Sequence, residues 1–126
     1  MQLTLLKSKI HRATVTQADL EYEGSCAIDS DLLEASGLRP YERIEIYNLS
    51  NGERFATYAI RAEAGSGTIS MNGAAAHKAG TGDQVIICAY CGLAVEEAEG
   101  YEPRILWVDA DNRIRRTHGH KPDEVA

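Results

Sequence analysis

Hydrophobic and polar positions alternate with a period near two over several short stretches of this chain, the spacing of half-buried β-strands. Residues 2–7 (QLTLLK) and 10–17 (IHRATVTQ) mix aliphatic and β-branched side chains with polar ones and predict two early strands. RIEIYNLS (43–50) and ERFATYAI (53–60) predict a hairpin around Asn51-Gly52, the dipeptide that most readily supplies the two positive φ angles of a tight turn. GTISM (67–71), TGDQVIICAY (81–90), RILWVD (104–109) and RIRRT (113–117) predict further strands, with a turn at Asn72-Gly73 and another over Ala110 to Asn112. Helical signals are brief. Asp29 or Ser30 can cap a short helix through Leu32, Leu33 and Ala35 that Gly37 and Pro40 end, Ala74 to Ala76 suit a short helical segment, and VEEAEGY (95–101) suits a single turn. Six or more short strands with such short helices predict a mainly β protein closed into a small barrel, because closure removes the strand edges that would otherwise promote aggregation.

At 126 residues the chain has the size of one domain, without the length for a second core. Its 44% hydrophobic and 25% charged residues are globular proportions, so a packed fold is expected throughout. A net charge of -6 argues against a nucleic-acid partner, and the Arg113, Arg115, Arg116 group is too short to reverse that. An acidic protein that binds an acidic ligand needs a local pocket of positive charge opposing its overall field. No run approaches the ~20 apolar residues of a membrane span, and MQLTLLKSKIHR lacks the layout of an export signal, so a cytoplasmic protein with no membrane partner is expected. Cys26, Cys88 and Cys91 are an odd count, which favours free thiols. Cys88 and Cys91 form a lone CxxC with no second pair, a weak basis for zinc or redox chemistry, and no metal is expected.

Three segments carry more information together than apart: YEGSCAID (22–29), NGERFATYAI (51–60) and NGAAAH (72–77). Read alone, Gly24-Ser25 is a turn, Tyr58 a half-buried strand tyrosine, and Lys9 and Arg54 solvated surface cations. In this order and spacing the segments resemble the pyruvoyl-dependent aspartate 1-decarboxylase family, over residues 9 to about 90.

That resemblance implies a six-stranded double-psi β-barrel and an inactive precursor that cleaves itself between Gly24 and Ser25, into residues 1–24 (a β chain) and 25–126 (an α chain). The Ser25 hydroxyl would attack the Gly24 carbonyl, turning the amide into an ester. β-Elimination and loss of ammonia would then leave a pyruvoyl group at position 25. This ketone would condense with the amine of L-aspartate as a Schiff base and accept the electrons released with CO2, the task pyridoxal phosphate performs elsewhere, so no pyridoxal phosphate is expected. β-Alanine for pantothenate and coenzyme A synthesis is the implied product. Tyr58 is the implied proton donor. Lys9 and Arg54 are the implied carboxylate ligands, Arg54 able to offer two parallel hydrogen bonds. Thr57 would stabilise the oxyanion at Gly24 during cleavage and later contact substrate, and the backbone of Gly73, Ala74 and Ala75 would line the site. His11 and Asn72 are secondary candidates, for hydrogen bonds near the pyruvoyl or to Tyr58. Cys26 is a packing residue or a competing nucleophile, and Tyr47 a pocket or core aromatic. The family assembles as a homotetramer with active sites between subunits, and some members need a helper protein to mature.

Strand alternation puts Arg54 and Tyr58 on one face and Thr57 on the other, a conflict that a bulge or a site shared between subunits would resolve. Two other readings stand beside the leading one. Two cations do not set side-chain length, so the substrate could be another acidic amino acid. Without cleavage the chain would be a non-catalytic β-barrel binding module.

Overall fold

The computed structural model describes residues 1–120. Nine strands and two short helices follow in order: β1 (Gln2–Thr14), β2 (Gln17–Asp19), β3 (Ser25–Asp29), α1 (Ser30–Ser36), β4 (Arg43–Asn48), β5 (Arg54–Ala62), β6 (Ile69–Asn72), a 3₁₀ turn (Gly73–His77), β7 (Gln84–Ala94), α2 (Val95–Ala98), β8 (Arg104–Val108) and β9 (Ile114–His118). The protein is mainly β, as the alternating pattern predicts. The strands are hydrogen-bonded in the order β2-β6-β3-β5-β4-β7-β1-β8-β9. Three pairs are parallel, β1 with β8, β2 with β6 and β3 with β5, so the chain crosses over repeatedly instead of running as a meander. Among these nine strands of the described residues β2, three residues long, is the shortest.

The first two expected strands are largely one. β1 runs for 13 residues because two irregularities, between Leu6 and Ser8 and between Ile10 and Ala13, absorb what the pattern suggests is a break. Arg12 takes a positive φ of 63° at the second of these. The helix is where the sequence puts it: Asp29 caps α1 by accepting from the Asp31 N–H, and Gly37 closes it at φ 77°. The β4–β5 connection differs from the tight turn expected. Five residues separate the strands, and Gly52 but not Asn51 has a positive φ. The Asn51 side chain is engaged elsewhere, donating to the Lys78 carbonyl at 3.0 Å and accepting from the Glu53 N–H at 2.9 Å.

Inward positions of the strands make one core: Ile10, Ile28, Ile44, Ile46, Ile69, Met71, Val85, Ile87 and Leu106 are all fully buried. Two polar clamps hold the crossovers around it. Asn112 donates to the Thr14 and Gly67 carbonyls and accepts from the Thr14 N–H, tying the β8–β9 turn to the rest. Asp29, 2% exposed, accepts backbone N–H groups from Asp31, Gly65 and Gly67 at 2.8, 3.0 and 2.8 Å. Three donors left unpaired in a dry site make Asp29→Ala costly, about 3 kcal/mol by urea denaturation. A loss below about 1 kcal/mol would mean that water replaces the carboxylate.

Candidate active site

β3 begins at Ser25, directly after the Gly24–Ser25 bond, and lies between β5 and β6. Its parallel register with β5 pairs Cys26 with Ala59, and both are fully buried on the core face. One residue earlier on each strand, Ser25 and Tyr58 therefore stand side by side on the opposite face. They share a cavity of about 570 Å³ with Tyr22, Glu23, Pro40, Tyr41, Ile60 and Arg61. The Tyr58 ring is 38% exposed and packs beside Tyr41, with ring centroids 6.5 Å apart.

On the other side, Ser25 pairs with Asn72 of β6. The Asn72 amide donates to Ser25 Oγ at 3.0 Å, and its carbonyl accepts from Ser70 Oγ at 2.9 Å. All three residues are buried, so the Ser25 hydroxyl is held by a side chain that is itself held. Gly73 follows at φ 64°, and a Cβ there would lie 2.8 Å from both N and Cα of Gly24 and 3.0 Å from the Tyr22 carbonyl oxygen. A glycine at 73 is thus what lets the chain pass against the Gly24–Ser25 bond. Ala74 and Ala75 continue into the 3₁₀ turn. At Gly24 itself an added Cβ would meet nothing within 4 Å, so the close approach is confined to the side that Gly73 faces.

Cys26 points away from this site. Burial pushes its thiol up to about 12, so it stays protonated and cannot compete with Ser25. Cys88 and Cys91, three residues apart on an extended strand, project to opposite faces, Cys88 beside Tyr90 and Cys91 beside Tyr101. All three cysteines are free. No cluster of three or more His, Cys, Asp or Glu suited to a metal occurs among the described residues. No helix among them is long and apolar enough to cross a membrane.

Lys9 and Arg54 lie elsewhere on the sheet. Lys9 is in register with Cys88, Cys88 with Glu45, and Glu45 with Ala56 of β5, two residues from Arg54. Burial raises the pKa of the Cys88 thiol, and Lys9 and Arg54 both oppose that rise, so both cations lie within electrostatic reach of it. Neither forms an ion pair among the described residues, and neither lines the Ser25 cavity. Thr57 also stays outside it, bordering a shallow depression with Tyr41, Arg43, Ala56 and Tyr58. The alternation conflict therefore persists within one chain: β5 has no bulge against β4 between Arg54 and Tyr58. His11 is remote as well. It lines a separate cavity of about 430 Å³ with Arg12, Trp107, Val108, Arg115 and Arg116, and its buried Nδ1 has no hydrogen-bond partner. Burial, with Lys9 and Arg12 adding to it, holds its pKa below the usual imidazole value, so it is neutral at pH 7.

Tyr41 and Arg61 of the Ser25 cavity carry no local signal in the sequence, and only the β3–β5 pairing and the turn before β4 bring them there. Tyr22, inside the YEGSCAID segment, could have been found from its place beside the bond.

Likeness to known proteins runs along the whole chain. Residues 1–115 match the family model described as aspartate decarboxylase. Over all 126 residues of both chains, the protein is 66% identical to the aspartate 1-decarboxylase of Thioalkalivibrio sulfidiphilus. It is 60% identical to those of Halorhodospira halophila and Methylococcus capsulatus, again over the full length of each. The resemblance first visible in residues 9 to about 90 therefore extends through β8 and β9, and with a buried serine beside a glycine and a phenol in its cavity, this chain belongs to the aspartate decarboxylase family.

Proposed function

We propose that this single-domain chain is a self-cleaving precursor whose mature form removes the α-carboxylate of L-aspartate, giving β-alanine and CO2. The carrying observation is the buried Ser25 hydroxyl, held by Asn72 next to Gly24 and sharing one cavity with Tyr58. Aspartate decarboxylation is the activity of the family, and β-alanine feeds pantothenate synthesis.

Maturation uses atoms already in the chain. Ser25 Oγ adds to the Gly24 carbonyl carbon, the Gly24–Ser25 C–N bond breaks, and the amine is freed as the ester forms. Elimination of the ester leaves a carboxylate on Gly24 and a carbon–carbon double bond at residue 25, and water then replaces the amine, released as ammonia, with a ketone. The local fit supports this. Gly73, lacking a Cβ, lets its strand pass against Gly24, and Asn72 orients the Ser25 hydroxyl beside the bond to be cut.

A pyruvoyl group at residue 25 supplies the electron sink that decarboxylation requires. The chain's other residues bind, orient and protonate. Tyr58, beside residue 25, delivers the proton to the carbon that loses CO2. Lys9 and Arg54 hold the two substrate carboxylates, Arg54 through paired N–H donors. Within one chain those cations face the same side of the sheet as Tyr58 but lie outside its cavity, so the working site takes residues from two copies in a homotetramer. The exposed tyrosines 41, 58 and 90 on that side suit such burial. Thr57 reaches the Gly24 carbonyl, and His11 its neighbours, across the same contact. The enzyme works in the cytoplasm, without pyridoxal phosphate or metal, and a helper protein accelerates cleavage where it is slow.

Intact mass before and after warming, followed by an assay for β-alanine, tests this. Two fragments dividing after Gly24, with β-alanine formed from L-aspartate, are expected. A chain that stays whole and inactive even with a maturation helper supplied would overturn it in favour of a binding module. A cleaved protein that acts on glutamate but not aspartate would move the substrate while keeping the chemistry.

A further inference from the structure

We infer that Tyr90, through its hydrogen bond to Tyr47, is a positioning residue that sets the Arg54 guanidinium for a substrate carboxylate. The inference rests on the proposed role of Arg54 and adds a residue that the matched segments do not contain.

Tyr47 and Arg54 face each other across β4 and β5, and the Arg54 guanidinium carbon sits 3.9 Å above the centre of the Tyr47 ring. A guanidinium held by its face keeps its edge free, and that edge carries the N–H fork that matches a carboxylate. No carboxylate among the described residues occupies it in an ion pair. The orientation of the guanidinium then depends on the orientation of the ring beneath it. The Tyr47 ring is fixed at its far end, where its hydroxyl meets the Tyr90 hydroxyl at 2.6 Å, a short O–H···O contact. Tyr90 comes from β7, on the opposite side of β4 from β5, so Arg54, Tyr47 and Tyr90 form a line across three adjacent strands. The pKa of Tyr90 is raised, first by the bond to Tyr47 and then by burial, so Tyr90 keeps its hydroxyl proton for that bond. Two residues before Tyr90, Cys88 lies in register with Lys9. The same strand thus presents a support for one cation and a neighbour of the other.

A positioning role predicts a specific kinetic split. Tyr90→Phe removes one oxygen and keeps the ring, so cleavage at Gly24–Ser25 and folding are retained. KM for L-aspartate is expected to rise about three- to tenfold with kcat within about twofold, since losing one hydrogen bond loosens binding without touching the reacting atoms. Tyr47→Phe breaks the same bond from the other side and should give the same rise, and the double variant should be no worse than either. In an Arg54→Ala background, Tyr90→Phe should change KM no further. An unchanged KM in both phenylalanine variants overturns the inference, as does an equal effect of Tyr90→Phe with and without Arg54. If Arg54→Ala itself leaves KM unchanged, the carboxylate role of Arg54 fails and takes the inference with it. A raised KM in Arg54→Ala with none in Tyr90→Phe sinks the inference alone.

Discussion

Replacing Ser25 by alanine is expected to leave the protein as one uncut chain that releases no β-alanine from L-aspartate. Alanine keeps the backbone and the Cβ but removes the oxygen that attacks the Gly24 carbonyl, and nothing nearby replaces it. Cys26, the adjacent residue, faces the core with its thiol pushed up to about 12 by burial. The loss should be total, because without cleavage there is neither the ketone nor the free Gly24 carboxylate. The change also strips Asn72 of its acceptor while the Asn72 carbonyl keeps Ser70. One unpaired amide costs about 1–3 kcal/mol, a tolerable loss for a domain of this size. Thermal unfolding of the variant therefore separates a chain that cannot cut itself from one that does not fold. A folded Ser25→Ala protein that still divides after Gly24 would exclude Ser25 as the nucleophile.

Tyr58→Phe should have the opposite profile, with cleavage intact and turnover lost. The ring keeps its packing beside Tyr41, and its position next to residue 25 on the parallel β3–β5 pair does not depend on the hydroxyl. The oxygen removed is the proposed proton donor. General acid catalysis by a positioned side chain typically contributes about 10²–10⁴-fold, and kcat should fall within that range while KM changes little. Mass spectrometry establishes that the variant is fully processed, and initial rates of β-alanine formation give kcat. An unchanged kcat would transfer the role to another phenol of the same cavity, Tyr22 or Tyr41.

These two residues are separated by 33 positions in the chain, yet they are neighbours. The contrast with Lys9 and Arg54 is instructive. All four belong to the same resemblance, but within one chain Ser25 and Tyr58 share a cavity and the two cations lie along the sheet from it. Strict alternation on β5 kept Thr57 and Tyr58 on opposite faces, as a period of two requires. The opposition of Thr57 and Tyr58 on β5 thus persists in the folded chain, which is why the site we propose draws on two copies.

Local chemistry determined much of this protein from the sequence alone. The period-two stretches became strands because alternating side chains have one face to bury. Asp29 and Gly37 bounded α1 because a carboxylate can accept from the N–H groups of the first turn and glycine tolerates a left-handed φ at its end. The Gly24-Ser25 pair was legible because its flanking residues are contiguous. What only the tertiary structure decided was every choice that rests on partners distant in sequence. The two irregularities that keep β1 continuous answer to β7, and the wide β4–β5 loop answers to the Lys78 carbonyl that engages Asn51. The parallel register that sets Ser25 beside Tyr58, and the bond between Tyr47 and Tyr90, arise from strand pairings whose energy is spread over many contacts. No short segment encodes such a pairing, because the groups that stabilise it meet only once the chain has folded.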